Sequence, residues 1–351
     1  MQDLHTSEKI HDEIVGQGLL EKHVVPGNVL VKMQCEVLHT VFTMNELLTR
    51  PSTLDTCSRH PLGERFAGQC LALVTVACTS VNGLAVAEVH SSKAPQPLES
   101  CADIAHYYDH TIGLQGKALR NRLFKIVRNH RVLSYHQTWD ALKFLDAAES
   151  RDPEASPEII EIYSQKAVSK SLAGKPDGWN REHLWPSSYG LKRGQPEFTD
   201  LHNLRPADAN VNSARGKKYF GECMPAIDKT CLMPAFKESA ADTATSKKFW
   251  MPPRKVRGDI ARSLMYMVVR YGVDKHGEGS NLQLSDTPNK GRAQMGKLSV
   301  LLQWNLEDPP SNEERLRNFR VCALFQHNRN PFVDHPEFAS QIWGARSAQL
   351  L

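Results

Sequence analysis

No two of the chain's eight cysteines stand in a CxxC pair. That removes a structural zinc site of the paired-knuckle kind. No internal repeat is present either, so solenoids and propellers are excluded. From Phe66 to Ala87 there is no charged residue at all. Even so, Gln69, Thr75, Thr79, Ser80 and Asn82 dilute that stretch below the ~20 apolar residues of a good membrane span. A strong bias of charge is also lacking: a formal net charge of +4 over 351 residues permits a polyanionic partner without demanding one. What remains is ordinary for a globular protein. Hydrophobic residues make up 40% and charged residues 23%, enough to form a sizeable core without a membrane or a fibre.

The chain divides by composition. Residues 1–65 form an N-terminal extension whose role no motif reveals. Residues 66–87 follow Arg65, carry an apolar core and end in Ala85-Val86-Ala87, the pattern of an export signal with a small-residue cleavage site. Export signals begin near the initiator, and this one stands about 65 residues in. A signal anchor and an ordinary buried segment are therefore kept as alternatives. Cleavage after Ala87 would leave Cys101, Cys223, Cys231 and Cys322, an even number compatible with disulfides in an oxidising compartment. Cys223 and Cys231 are placed to close a short loop, with ordinary buried thiols as the alternative. Residues 88–100 are a Pro/Ser-rich linker, and residues 101–345 are expected to form one domain.

Within that domain, Leu119, Leu123, Ile126 and Val127 recur at helical spacing, and Thr138 is expected to cap a second helix carrying Trp139, Leu142 and Leu145. Ile159 to Tyr163 is β-branched and aromatic, which predicts a strand, although Ser156-Pro157 would equally open a helix. Asp259 is expected to cap a helix with Ile260, Leu264, Val268 and Tyr271 on one face, stopped by Gly272. Ser311 and Glu314 make a capping box before Leu316, Phe319 and Ala323. The polar, Gly-containing segment from Asp274 to Arg292 reads as a surface loop.

Chemistry concentrates between Trp179 and Phe220. Phosphodiester hydrolysis requires an activated water, charge to neutralise the phosphorane, and help for the leaving oxygen. His183 is the candidate base, while Glu182 and Asn212 are hard oxygen donors suited to a divalent cation. Arg181, Lys192, Arg193, Arg205 and Arg215 are candidate phosphate-binding residues, with Lys217 and Lys218 beside them. Composition alone does not rank these, because a Glu-His dipeptide is common. Asp200 and His202 invite functional roles, but a turn or cap for the first and a structural hydrogen bond for the second are the simpler readings. Trp185, Trp304 and Trp343 are more readily packing anchors than base-stacking platforms. Arg254, Lys255, Arg257 and Arg262 line a phosphate groove or merely surround a helix start.

Three blocks, Arg181-Glu182-His183-Leu184-Trp185-Pro186, Asp200-Leu201-His202-Asn203-Leu204-Arg205-Pro206 and Val211-Asn212-Ser213-Ala214-Arg215-Gly216, resemble the endonuclease I family in order and spacing. That family belongs to the His-Me finger, or ββα-metal, nucleases and includes periplasmic endonucleases and secreted ribonucleases. The resemblance extends from about Cys101 to Trp343. It implies an α+β fold with a His-Me finger core and flanking helices, the domain at 101–345 being catalytic. It implies His183 as general base and one magnesium ion on Glu182 and Asn212, manganese or calcium being alternatives. It also implies products bearing 5′-phosphates. Periplasmic members use an arginine between the first two blocks to hold the phosphate; here Lys192 and Arg193 are the basic residues of that interval.

The expected protein is thus a monomeric, secreted or periplasmic, metal-dependent and sequence-nonspecific endonuclease acting on DNA, RNA or both, without a small-molecule cofactor. An RNA-restricted ribonuclease and a catalytically silent nucleic-acid-binding relative are the rival readings. Adjacent strand residues face opposite ways, so the manner in which Glu182 and His183 act together is left to the structure.

Overall fold

The computed structural model describes residues 99–272 and 280–347. The N-terminal extension, the uncharged stretch at 66–87 and all but the last two residues of the linker lie outside the described residues. So does part of the expected loop, residues 274–279. The described chain is α+β, with helices surrounding several very small sheets.

Its main helices are α1 (Gly116–Val127), α2 (Gln137–Leu145), α3 (Ala209–Arg215), α4 (Arg257–Tyr271), α5 (Leu298–Glu307), α6 (Asn312–Arg320) and α7 (Phe338–Ser347). Helix α4 is buried on nearly every side, including Ile260, Leu264, Met265, Met267 and Val268. A helix buried on nearly every side belongs in the centre, its buried Arg262 paired with Glu314, and α1, α5 and the single turn Pro331–Asp334 pack against it. Helix α1 meets it with Leu119, Leu123 and Val127, one buried stripe at spacings of four. No described helix is long and apolar enough to cross a membrane.

Strands β1 (Glu158–Ile160) and β2 (Ala167–Ser169) form one hairpin. Strands β3 (Trp179–His183) and β4 (Leu204–Asp208) pair antiparallel, with Trp179 opposite Asp208, Glu182 opposite Arg205 and His183 opposite Leu204. Helix α3 starts at the residue after β4, where the Asp208 carboxylate accepts from the Asn210 and Val211 amides at 2.8 and 2.9 Å. The helix ends at Gly216, whose φ of 56° is left-handed backbone that a side chain would strain. Strands β5 (Tyr219–Phe220), β6 (Ala244–Thr245) and β7 (Phe249–Met251) follow as a three-stranded sheet in the order β5-β7-β6.

Several local expectations need correcting. Thr138 lies inside α2 and donates to the Tyr135 carbonyl at 2.7 Å; the reciprocal bonds of Ser134 and Gln137 hold the helix start instead. The strand expected at Ile159 to Tyr163 stops at Ile160, and Tyr163 lies beyond it, ahead of β2. Helix α4 begins at Arg257, before Asp259, which pairs with Arg205 and Arg262 rather than capping. Ser311 does cap α6, accepting from the Glu314 amide at 3.1 Å, but the Glu314 carboxylate turns inward to Arg262. Within the expected loop, Gln283–Leu284 pairs as a strand with Gln294–Met295.

Buried ion pairs tie β4 to the helices behind it. Arg205 meets Asp146 at 2.9 Å and Asp259 at 3.1 Å, and Arg317 of α6 meets the same Asp146 at 2.8 Å. Removing one member would strand a partner charge, which costs about 3–5 kcal/mol in buried pairs.

Among the described residues two disulfides close the fold: Cys101–Cys322, 221 residues apart, and Cys223–Cys231, eight apart. Chain-entropy reasoning ranks them, since stabilisation grows with the logarithm of the loop closed. The double replacement Cys101→Ser/Cys322→Ser is expected to lower the urea unfolding free energy by about 5 kcal/mol, and by about 3 kcal/mol more than Cys223→Ser/Cys231→Ser. Equal losses for the two pairs would refute that ranking.

Candidate active site

The alternation of β3 sets the site. Arg181 and His183 share one face, and both rest against the Tyr135 ring; Glu182 points to the other. Helix α3 covers the Glu182 face.

On that face Glu182 is buried, and its Oε1 receives the Tyr163 hydroxyl at 2.8 Å and the Arg215 guanidinium at 2.9 Å. Burial pushes the Glu182 pKa up, while Arg215 and the Tyr163 hydrogen bond pull it down. Arg215 also donates to the carbonyls of His183 at 3.0 Å and Leu184 at 2.7 Å, and lies over the Phe220 ring at 4.5 Å. Asn212 precedes Arg215 by three residues and so shares its helix face. Asn212 is half-buried, and its amide has no hydrogen-bond partner among the described residues. A carboxylate and an amide oxygen, one from a strand and one from the helix crossing it, are chemically suited to a hard divalent cation.

On the other face the His183 Nε2 lies 2.9 Å from the Phe198 carbonyl. A carbonyl only accepts, so Nε2 carries the hydrogen and Nδ1 holds the lone pair of the neutral ring. Tyr135 stacks on the imidazole at 6.2 Å and Phe198 is tilted against it at 4.7 Å. Burial lowers the His183 pKa to about 4, the Phe198 carbonyl opposing and the Arg181 and Arg215 charges reinforcing. The imidazole is therefore an unprotonated acceptor throughout the neutral range.

The five candidate phosphate-binding residues separate. Arg215 is buried on Glu182, and Arg205 is buried on Asp146 and Asp259. Arg181 lies over the Tyr135 ring at 3.4 Å and the Trp139 ring at 4.0 Å, and donates to the Tyr135 carbonyl. Lys192 and Arg193 are exposed. The Arg193 guanidinium lies 5.8 Å from the Phe198 ring and 6.0 Å from the Tyr135 ring, the two rings that flank His183. Sequence reasoning did not find Tyr163, Tyr135 or Phe198. Tyr163 ends a short β-branched run whose nearby charges, Glu161 and Lys166, do not mark it as a partner of Glu182, and a backbone carbonyl has no sequence signature.

The middle block is scaffold. Asp200 is buried and accepts from the Tyr266 and Tyr271 hydroxyls, both at 2.7 Å, and from the His202 amide at 2.9 Å. His202 is buried with Nε2 at 3.1 Å from the Asn328 carbonyl. Asn203 accepts from the Trp185 amide at 2.7 Å and so anchors the chain leaving β3. Trp185, Trp304 and Trp343 are all buried. Arg262 is buried against Glu314 at 2.5 Å, whereas Arg254 and Lys255 are exposed.

Comparison with known proteins places this geometry. The family model for Endonuclease I matches residues 115–337. An extracellular ribonuclease of Bacillus amyloliquefaciens is 42% identical over 246 residues, covering 69% of this chain and 79% of the relative. An extracellular ribonuclease of Bacillus subtilis is 40% identical over 251 residues, 70% of this chain and 81% of the relative. An extracellular deoxyribonuclease of Aeromonas hydrophila is 32% identical over 145 residues, 38% of this chain and 48% of the relative.

The buried imidazoles make stability depend on pH. Burial lowers the His202 pKa to about 4 in the fold, against an ordinary value of 6.5. Below pH 6.5 the unfolded chain takes up a proton that the folded chain refuses, so stability is full above that pH and falls as pH drops toward 4. In urea titrations, His202→Gln is expected to make this decline shallower by about 1.4 kcal/mol per pH unit between pH 6 and 4.5. Parallel curves for wild type and variant would show that His202 is not the group responsible.

Proposed function

Because the chain belongs to the endonuclease I family and is a nuclease, we propose that it is a secreted, magnesium-dependent endonuclease with little sequence preference, for which RNA is a substrate alongside DNA. The observation that carries this reading is the His183 imidazole, held by the Phe198 carbonyl so that Nδ1 is free to accept a proton at neutral pH. The β3–β4 hairpin crossed by α3 supports a His-Me finger core.

In this reading His183 Nδ1 takes a proton from the attacking water, and the Phe198 carbonyl holds the ring as it becomes charged. Arg193, exposed beside the rings that flank His183, pairs with a phosphate oxygen. Glu182 and Asn212 would hold the magnesium ion. Among the described residues no three His, Cys, Asp or Glu side chains gather as a metal cluster, so two protein oxygens would leave the remaining positions to water, as magnesium prefers. When bound, that ion supplies positive charge for the phosphorane and the leaving oxygen. Arg215, already on Glu182, offsets part of the carboxylate charge and keeps metal affinity moderate.

RNA is included because the two Bacillus relatives, each aligned over about 70% of this chain, are named ribonucleases, while the deoxyribonuclease aligns over 38%. Their extracellular names support secretion. Grip on phosphates carries no base information, so sequence preference is weak and salt sensitivity strong.

The test is cleavage of single-stranded RNA and of supercoiled plasmid, with magnesium or EDTA. Magnesium-dependent cleavage that declines steeply with salt is expected. His183→Ala should lower kcat/KM by about 10²–10⁴-fold, and Arg193→Ala should lower it by about tenfold. Full activity in His183→Ala would remove the proposed base. Binding without cleavage by the wild type would establish the silent relative instead.

A further inference from the structure

Beyond the cleavage site, the outer face of the three-stranded sheet carries a row of rings. Tyr219 and Phe249 are register partners on β5 and β7, half-buried, while their neighbours Phe220 and Trp250 turn into the core. Tyr189, itself buried, backs the row from within the core, with centroids 5.5 Å from Tyr189 to Tyr219 and 6.4 Å from Tyr219 to Phe249. Cations alternate with the rings. The Lys290 ammonium lies 6.0 Å from the Tyr189 centroid, and that of Lys297 5.5 Å from the Phe249 centroid. The Lys297 stem crosses Gly221, where an added Cβ would stand 2.9 Å from Phe249 and 3.2 Å from Lys297, so the backbone itself floors the row. Lys217, Lys247 and Lys248 are exposed beside it.

We propose that Tyr219 and Phe249, with Lys290 and Lys297, form a platform for single-stranded nucleic acid, on which bases of the bound strand stack. This deepens the nuclease reading and rests on it. Charge complementarity selects a polyanion, and rings among lysines are the composition that takes successive bases of a single strand. The occupant is unpaired because duplex bases, stacked 3.4 Å apart, offer no free face. The 6.4 Å spacing of Tyr219 and Phe249 suits a strand whose bases are splayed apart. A flexible, exposed Lys290 leaves its ring for a phosphate without disturbing the packing.

The experiment measures binding to the full chain carrying His183→Ala, in EDTA, using labelled uridine and thymidine dodecamers and a blunt duplex of equal length. Tyr219→Leu and Phe249→Leu are each expected to weaken dodecamer binding about tenfold and duplex binding less than about twofold. Tyr219→Phe, which keeps the ring, should bind as the parent does. Lys290→Ala, on the surface, should lower the salt slope by about 0.7 and decides the matter should the leucine variants not fold. Unchanged dodecamer binding in both leucine variants, equal losses for duplex and single strand, or an unchanged slope in Lys290→Ala would overturn the platform. Uridine against thymidine tells an RNA platform from one indifferent to the sugar. Ring-dependent binding in a chain whose wild type cleaves nothing would keep the platform and remove the nuclease reading; cleavage with ring-independent binding would do the reverse.

Discussion

Arg215 is the interaction on which the rest of the site depends. One buried guanidinium pairs with Glu182 and donates to the carbonyls of His183 and Leu184, which joins the last turn of α3 to the end of β3. Those carbonyls belong to the last residue of β3 and the residue after it, and both take their hydrogen bonds from Arg215. An unmet buried carbonyl costs roughly 1–3 kcal/mol, so the end of β3 is stable as drawn only with the helix in place. The arrangement has its own cost, since the Arg215 Nε is buried without a partner. A buried pair of this kind is weak evidence for stability but fixes geometry, because removing either member leaves an uncompensated charge. The terminal nitrogens of Arg215 are engaged by Glu182 and two carbonyls in the fold, in contrast to the exposed Arg193.

The alternation problem posed by adjacent Glu182 and His183 is resolved without an irregular strand. The two side chains stay on opposite faces, and different parts of the protein hold each one. Glu182 is held by Tyr163, beyond β1, and by Arg215 of α3, while His183 is held by the Phe198 carbonyl and packed by Tyr135. Because His183 is the last residue of β3, the two faces meet at the strand end. Arg181 completes the His183 face by stacking on Tyr135 and Trp139, which fixes the ring that in turn flanks the imidazole.

How much of this was legible follows from where the information sits. The family, the α+β class and the stripe of α1 are carried by short-range patterns, and those survive in the fold. Roles that depend on distant partners were not legible. Arg193, Arg205 and Arg215 are equivalent as letters, yet Arg205 sits between Asp146 and Asp259, from elements far away in sequence, and only Arg193 of the three remains on the surface. Thr138 misled for a related reason. A threonine before an apolar run is a fair capping signal, but the Ser134–Gln137 exchange one turn earlier had already satisfied the helix start.

The division of labour among cations has a consequence for catalysis. Preorganised groups act at no reorganisation cost when charge develops, and here the proposed base, its tautomer and the Glu182 carboxylate are all fixed by buried partners. The scaffold beneath them is equally committed: Asp200 is saturated by two tyrosines and the His202 amide, and Arg317 and Arg205 share Asp146 behind β4. The groups left free to adapt are those at the rim, Lys192 and Arg193 above His183 and the lysines along the outer sheet. A rigid centre with adjustable cations around it suits a polymer whose phosphates recur while its bases vary, because the fixed part meets only the repeating unit. On the proposed function, such an architecture would discriminate weakly between sequences and leave any preference to the aromatic faces that the backbone charge does not reach.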